Sequence, residues 1–476
     1  MELFHWDIGT AFLNGVLDEE IYVQLPPGSE EFCGIPIRPG QCLKLKKAIY
    51  GLKQASRQWY LHLGETLVKE LGFEASPLDP CVFRKIDRRT KQEVLVGIYV
   101  DDIMVACKDK KVVELLKKKL EDIYDLRDEG ELDYFLGMQI SRNRKERTIF
   151  IHQRKMTDEV LIKFGMESSD PNVVPMQNGL RLESAEDDTS LDDLFTGPYR
   201  QAIGSLLYLT VVSRPDIAQA VSKVAQFCNR PTKGHWGAVK EIFRYLNGHR
   251  DLGITLGGSG DNTLTGWCDS DFAGDTDCQF DPETELYIGG RRSTTGYIFF
   301  IGNSPISWRS RKQQRLATSS TEAEIIALGE ATREAIWLRN LIPTIDRHFV
   351  IHKDGVRIYQ DNTSAIKHVN KGVLTERTKH FGLSYFFITE SIRAKEIHTE
   401  PINTTLMTAD MFTKPLSQKL FEVHLQKIMS RETGPLKGSH FTHKQNLIHF
   451  SKGVCWNMFR SLFSERNMNM NNVIIA

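Results

Sequence analysis

Two apolar runs of strand length frame an acidic pair. Val94-Leu95-Val96-Gly97-Ile98-Tyr99-Val100 is rich in β-formers, Ile103-Met104-Val105-Ala106-Cys107 mirrors it, and only Asp101 and Asp102 stand between them. Such runs separated by two residues predict an antiparallel hairpin with Asp101-Asp102 at its turn. An aspartate pair at a tight turn is ordinarily solvated. Here a third aspartate, Asp7, ends another apolar run, Leu3-Phe4-His5-Trp6. Carboxylates projecting from neighbouring strand ends repel one another and become tolerable when divalent cations bridge them. Mg²⁺ takes carboxylate oxygens together with substrate phosphates, so a site of this kind needs no His or Cys.

Length argues for several such units. A chain of 476 residues exceeds one compact core. Around the hairpin, Trp59 to Leu71 predicts a helix stopped by Gly72, Val112 to Tyr124 another, and Tyr134 to Ile140 a strand. The acidic stretch Glu183 to Ser190 reads as an exposed linker. Helices are expected over Tyr199 to Val212, Asp216 to Cys228 and His235 to Leu246. From 263 to about 415 strands come first, then helix, strand and helix, and the last fifty residues carry no clear periodicity.

The eight cysteines are scattered with no CxxC pair, which suits neither a zinc site nor a disulfide framework and fits a reducing compartment. No apolar run reaches the roughly eighteen residues that span a bilayer, and the first residues lack a signal-peptide pattern. An intracellular protein with no membrane partner is the expectation. The formal net charge is zero, which counts against a nucleic-acid binder in bulk. Basic residues nevertheless gather at Lys44, Lys46, Lys47, Lys53 and Arg57, at Arg142 to Arg147, and between Arg291 and Arg315. Such runs are commonly solvated faces.

A second set of carboxylates sits in the later region. Asp269 lies near a strand end, Glu324 opens a helix after a run of serines, Asp361 ends the strand Val356 to Gln360, and Asp410 falls in Thr408-Ala409-Asp410-Met411. Each has an ordinary reading alone, because helix starts favour glutamate and strand ends favour aspartate.

Phrases along the chain carry a more specific message. Trp-Asp-Ile-Gly-Thr-Ala-Phe-Leu-Asn-Gly (6–15), Leu-Lys-Lys-Ala-Ile-Tyr-Gly-Leu-Lys-Gln-Ala (45–55), Arg-Gln-Trp-Tyr (57–60), Tyr-Val-Asp-Asp (99–102) and Tyr-Phe-Leu-Gly (134–137) resemble, in order and spacing, the reverse transcriptase of copia-type LTR retrotransposon Pol polyproteins. Arg-Arg-Ser-Thr-Thr-Gly-Tyr (291–297), Ser-Ser-Thr-Glu-Ala-Glu (319–324), Gln-Asp-Asn (360–362) and Ala-Asp-Met-Phe-Thr-Lys-Pro-Leu (409–416) resemble the ribonuclease H domain that follows it. Gly-Ser-Leu-Leu-Tyr-Leu-Thr (204–210) and Arg-Pro-Asp-Ile-Ala (214–218) resemble the link between the two. The likeness runs over roughly residues 3–425.

The resemblance implies an α+β multidomain chain. A reverse transcriptase palm with hairpin-borne catalytic aspartates and the start of a thumb is expected over 1–165, a linker and helical connection over 166–255, an α/β ribonuclease H-like domain over 256–425, and a poorly patterned tail over 426–476. It implies Asp7, Asp101 and Asp102 as polymerase metal ligands, with Tyr50, Gly51 and Lys53 beside nucleotide and template. It implies Asp269, Glu324, Asp361 and Asp410 as nuclease ligands. Glu324 is favoured over Glu322 because Ala327 follows it by three residues, as in related ribonucleases. Each site would hold two Mg²⁺ (or Mn²⁺) ions. The implied partners are RNA template, DNA primer, RNA–DNA hybrid, dNTPs and the rest of the Pol polyprotein, in cytoplasmic virus-like particles and the nucleus.

The family usually has Lys at the position of Gly9, Pro at Ser56, Asp at Gly382 and His at Phe386. Its fingers segment also precedes the first aspartate, whereas Met1 stands six residues ahead of Asp7. The chain is therefore expected to be N-terminally truncated, with much of its nucleotide grip missing. Two functional readings stay open: an RNA-directed DNA polymerase and ribonuclease H working by two-metal chemistry, or a catalytically impaired remnant that at most binds nucleic acid.

Overall fold

The computed structural model describes residues 1–435 except 30, 32–33, 35–39, 186–188, 191, 259–261, 276–277, 282–285, 347–348, 350, 374–380 and 433. Contacts divide these residues into two compact units, parted between Leu132 and Asp133. Most of the expected tail, and the middle of the acidic linker, lie outside the described residues.

The first unit is built on a six-stranded sheet. Its strands are β1 (Glu2–Ile8), β2 (Glu74–Ala75), β3 (Val82–Ile86), β4 (Glu93–Tyr99), β5 (Asp102–Cys107) and β6 (Leu126–Glu131), in the order β2-β3-β4-β5-β1-β6. The β4–β5 register pairs Tyr99 with Asp102. The two-residue turn is therefore Val100-Asp101, one residue earlier than the sequence suggested, and Asp102 already belongs to β5. Val100 adopts φ 56°, a conformation that costs an L side chain roughly 1–2 kcal/mol.

Helices α1 (Ala55–Glu65) and α2 (Lys110–Glu121) supply the unit's apolar cover. Trp59 and Leu63 of α1 and Leu116 and Leu120 of α2 pack with Trp6, Phe83, Val96 and Ile103 of the sheet in one core. Asp109 caps α2, its carboxylate accepting from Lys111 N–H, which starts that helix two residues before the periodicity did.

The second unit holds two larger sheets and a two-stranded one, in which Cys278–Asp281 pairs with Leu286–Gly289. The first contains β7 (Tyr134–Phe135), β8 (Met138–Asn143), β9 (Thr148–His152) and, beyond helix α3 (Arg154–Lys163), β10 (Gly253–Gly257), which pairs antiparallel with β9. The single strand expected over 134–140 is a tight hairpin instead, because Leu136 (φ 46°) and Gly137 (φ 72°) reverse the chain and Met138 pairs back with Phe135. Pairing of β9 with β10 ties residues 138–152 to this unit, ahead of the boundary expected at 165.

Helices α4 (Tyr199–Val212), α5 (Ala218–Val224) and α6 (Lys233–Gly248) precede β10. They enclose Arg214, whose guanidinium donates twice to Asp216 at 2.9 and 2.7 Å, while Tyr245 Oη–H donates to Asp216 Oδ2 at 2.8 Å. Full pairing makes this buried charge tolerable.

The other sheet has five strands: β11 (Leu264–Asp271), β12 (Thr294–Ile301), β13 (Ser304–Lys312), β14 (Val356–Gln360) and β15 (Ile397–Pro401). Their order is β13-β12-β11-β14-β15, antiparallel across the first three and parallel from β11 to β15. Helix α7 (Ser320–Ile345) lies on this sheet, and α8 (Thr363–Lys371), α9 (Gly382–Arg393) and α10 (Gln418–Ile428) complete the unit. Ala323, Ala327, Ala331 and Ala335 of α7 are wholly buried at four-residue spacing, a small-residue stripe that allows close approach of helix and sheet. Among the described residues, no helix is long and apolar enough to cross a membrane.

Candidate active sites

In the first unit the three predicted aspartates meet at one end of the sheet. Asp7 pairs with Asp102 across β1 and β5, and the Ile8 N–H donates to the Asp101 carbonyl at 3.0 Å. All three side chains are half-buried. Burial raises the Asp101 pKa, and the charges of Asp102 and Asp7 add to that effect.

Two partners of this group went unnoticed in the sequence. His5 Nε2 lies 2.6 Å from Asp102 Oδ1, and the Trp59 indole N–H donates to the Val100 carbonyl at 2.5 Å. The second contact holds the strained turn onto α1. Gly9 packs so tightly that a Cβ there would stand 2.3 Å from Asp125 Oδ2, leaving no room for the family's lysine unless Asp125 moves.

Tyr50, Gly51 and Lys53 lie just before α1 and are exposed. The Tyr50 ring packs on Phe12 at 4.8 Å between centroids, and Gly51 sits at φ 92° with open space where a side chain would be. Of the basic run nearby, Lys44 pairs with Glu20, and Arg57 lies 3.7 Å from Asp18.

The second unit draws its carboxylates from four separate segments. β11 and β14 run parallel with Trp267 opposite Tyr359, so two residues further on Asp269 and Asp361 emerge at the same sheet end. Glu324 comes from the first turns of α7, and Asp410 from the 3₁₀ turn Thr408–Phe412. Gly296 stands opposite Asp269 on β12, and a Cβ there would lie 2.6 Å from Thr413 and 2.9 Å from the Ala409 carbonyl. That glycine is what lets the Asp410 turn lie against the sheet beside Asp269.

Ligand oxygens of Asp269, Glu324 and Asp361 lie within 4.8 Å of one another. Among the described residues this is the one group of three or more acidic, His or Cys side chains so close, and Asp7, Asp101 and Asp102 stand further apart. The alternative Glu322 is turned back to cap its own helix, accepting from the Thr318 N–H at 2.7 Å and the Thr318 hydroxyl at 2.6 Å.

Crowding and burial dominate the electrostatics. Asp269, Glu324 and Asp410 are 3%, 6% and 2% exposed. Burial, reinforced by Asp269 and Asp361, raises the Glu324 pKa well above the carboxylate range. Burial and the Asp269 charge raise Asp361, and the same two causes push Asp410 up to about 7.

Neighbours that the sequence did not single out orient the carboxylates. Gln360, wholly buried, donates its amide N–H to Glu324 at 3.0 Å and accepts from the Asp361 N–H at 2.8 Å and the Asn362 N–H at 3.3 Å. Thr413 Oγ1–H donates to Asp269 Oδ2 at 2.6 Å. Lys414 Nζ stands 3.1 Å from Asp410 Oδ1. Gln360, Thr413 and Lys414 all lie inside the quoted phrases, but only the fold shows which oxygen each one meets.

An all-oxygen set of crowded, buried carboxylates fits a hard divalent cation, which relieves the repulsion that otherwise drives these groups to hold protons.

Residues 1–178 match the family model described as reverse transcriptase (RNA-dependent DNA polymerase). The retrovirus-related Pol polyprotein from transposon TNT 1-94 of Nicotiana tabacum is 36% identical over 426 residues, covering 89% of this chain and 30% of that protein. The corresponding polyprotein from transposon RE2 of Arabidopsis thaliana is 34% identical over 422 residues, 89% of this chain and 27% of that protein. The chain thus spans less than a third of the length of either relative. Among solved structures, the N-terminal RNase H domain of Rv2228c from Mycobacterium tuberculosis, a fusion with maltose binding protein, aligns at 9% identity and a TM-score of 0.22, covering 34% of this chain and 98% of that one. The chain belongs to the copia-type, retrovirus-related Pol polyproteins of retrotransposons, and its first 178 residues to their reverse transcriptase family.

Proposed function

We propose that this chain carries two metal-dependent phosphodiester activities. The first unit extends a DNA primer on an RNA template, taking dNTPs, and the second cleaves the RNA strand of an RNA–DNA hybrid. The observation that carries the reading is the closed group Asp269, Glu324 and Asp361 with Asp410 beside it, buried and destabilised until a cation arrives. A catalytically impaired remnant would have little reason to keep these carboxylates together at such electrostatic cost.

In the nuclease reading, Asp269, Glu324, Asp361 and Asp410 hold two Mg²⁺ or Mn²⁺ ions. When bound, these ions activate a water and stabilise the leaving oxygen of the cleaved strand. The protein's own part is orientation. Gln360 fixes Glu324 relative to the backbone of Asp361, and Thr413 fixes one oxygen of Asp269. In the polymerase reading, Asp7, Asp101 and Asp102 hold the metals at the sheet end, while exposed Tyr50, Gly51 and Lys53 meet nucleotide and template.

The test is purified chain with a labelled RNA–DNA hybrid and, separately, a primer–template, each with Mg²⁺ or Mn²⁺. Asp269→Asn is expected to lower hybrid cleavage by on the order of a thousandfold while sparing extension, and Asp101→Asn to do the reverse. Cleavage that persists in Asp269→Asn would falsify the nuclease assignment.

A further inference from the structure

Lys414 is the cation of the second site, and its position is not that of a bystander. Its ammonium stands 3.1 Å from Asp410 Oδ1 and 3.8 Å from Asp269 Oδ2, between two carboxylates that are sealed from solvent. Its own side chain keeps 37% of its surface exposed, so it reaches inward from the rim. Glu324 is met by the neutral Gln360 amide. The cluster therefore has two unlike halves that share Asp269: an Asp269–Glu324–Asp361 half in which, among the described residues, no ammonium is paired with Glu324 or Asp361, and an ammonium-filled Asp269–Asp410 half.

We propose that Lys414 is a resident counter-cation that a divalent ion must displace from the Asp269–Asp410 pair, so that the two halves load unequally. This rests on the divalent-metal reading of the site given above. The Asp269–Glu324–Asp361 half takes an ion with nothing positive to evict. The Asp269–Asp410 half takes one only against the ammonium, because two cations a few ångströms apart repel strongly in a partly dehydrated site. The displaced ammonium, on its flexible four-carbon stem, can swing to the exposed rim, where a phosphate oxygen of a bound strand is a matching partner. Metal loading and strand binding then reinforce each other through one side chain.

The experiment is calorimetric titration of Mg²⁺, and Mn²⁺ titration followed by electron paramagnetic resonance, into the full chain carrying Asp101→Asn and Asp102→Asn to silence the first unit's ions, and into its K414M, K414Q, K414R and D269N variants in that background. Wild type is expected to show a tighter and a weaker class of ion. K414M and K414Q tighten the weaker class by on the order of tenfold or more, while K414R leaves it weak. A single class in wild type that becomes two in the neutral variants is the same result in stronger form. Both neutral variants also melt at lower temperature in EDTA and recover with Mg²⁺. A folded neutral variant whose weaker class is unchanged or weaker still overturns the proposal. So does failure of both neutral variants to fold even in excess Mg²⁺, which would make Lys414 a structural support. If D269N binds both ions as wild type does, the fault lies with the metal reading itself and not with the role of Lys414.

Discussion

The two carboxylate groups solve the same problem with different resources. In the first unit the aspartates come from adjacent antiparallel strands and the turn between two of them, and they remain half-buried. In the second they converge from two parallel strands, a helix and a 3₁₀ turn, and three of the four are almost wholly enclosed. Enclosure brings tighter geometry at an electrostatic cost, which appears as carboxyl groups that hold their protons. A site assembled from four segments needs supports, and Gln360, Thr413 and Lys414 supply them. A site on one hairpin and its neighbour gets most of its geometry from the sheet itself.

The largest consequence of that difference is a stability that runs against function. Burial and the Asp269 charge push the Asp410 pKa up to about 7, against an ordinary value of 3.8. Between those values the folded state binds more protons than the unfolded one, so stability is greatest at low pH and falls as pH rises through that range. Asp410→Asn removes the ionisation. In EDTA at pH 8 the variant is expected to be more stable than wild type by about 4 kcal/mol, and the two should converge near pH 4. Mg²⁺ should erase or reverse the gap at pH 8, because only wild type has the full ligand set. Denaturant melts of the second unit at pH 4, 6 and 8, with and without metal, decide it; a pH-independent gap would mean that the carboxylate is not under strain.

A smaller effect sharpens the role of the supports. Gln360→Leu keeps the volume but leaves Glu324 without its amide donor, and the Asp361 and Asn362 N–H groups without an acceptor. Loss of such an outer partner costs metal sites roughly 10- to 100-fold in affinity or activity. Cleavage of a hybrid is expected to fall by that factor, with half-saturation moved to higher Mg²⁺ concentration and extension unchanged. An unaltered Mg²⁺ dependence would reduce Gln360 to a packing residue.

How far the sequence reached follows the same division. The hairpin was visible because its information is local: two β-rich runs and an acidic pair sit within fourteen residues. Its register was not, since the shift of the turn to Val100-Asp101 depends on Trp59 of α1 catching the Val100 carbonyl, a contact 41 residues away in sequence. The helix stripes of α4 and α6 were also visible, because burial on one face writes itself at helical spacing. The hairpin at Leu136-Gly137 was missed because Tyr134 to Ile140 is β-rich throughout and one glycine reverses it. For the later group, no local pattern links Asp269 to residues 55, 92 and 141 positions downstream, and only the family phrases brought the four together. Those favoured Glu324 over Glu322 only through its spacing to Ala327, whereas in the fold Glu322 is turned back onto Thr318.

The smallest expected effect lies in the first unit, where one side chain does what three do in the second. His5 Nε2 meets Asp102 Oδ1 at 2.6 Å, with 16% and 24% of the two side chains exposed. Partial exposure limits the worth of the contact, since water competes for both partners. It nevertheless ties the Asp102 carboxylate to β1 through His5, which stands two residues before Asp7 on that strand. His5→Phe is expected to lower primer extension about three- to tenfold while leaving hybrid cleavage alone. His5→Gln, which can still donate to Asp102, should recover most of the loss. A drop that glutamine fails to rescue would trace the effect to packing of β1. No drop in either variant would mean that the sheet alone orients Asp102, and that the hairpin site needs even less support than its half-buried geometry suggests.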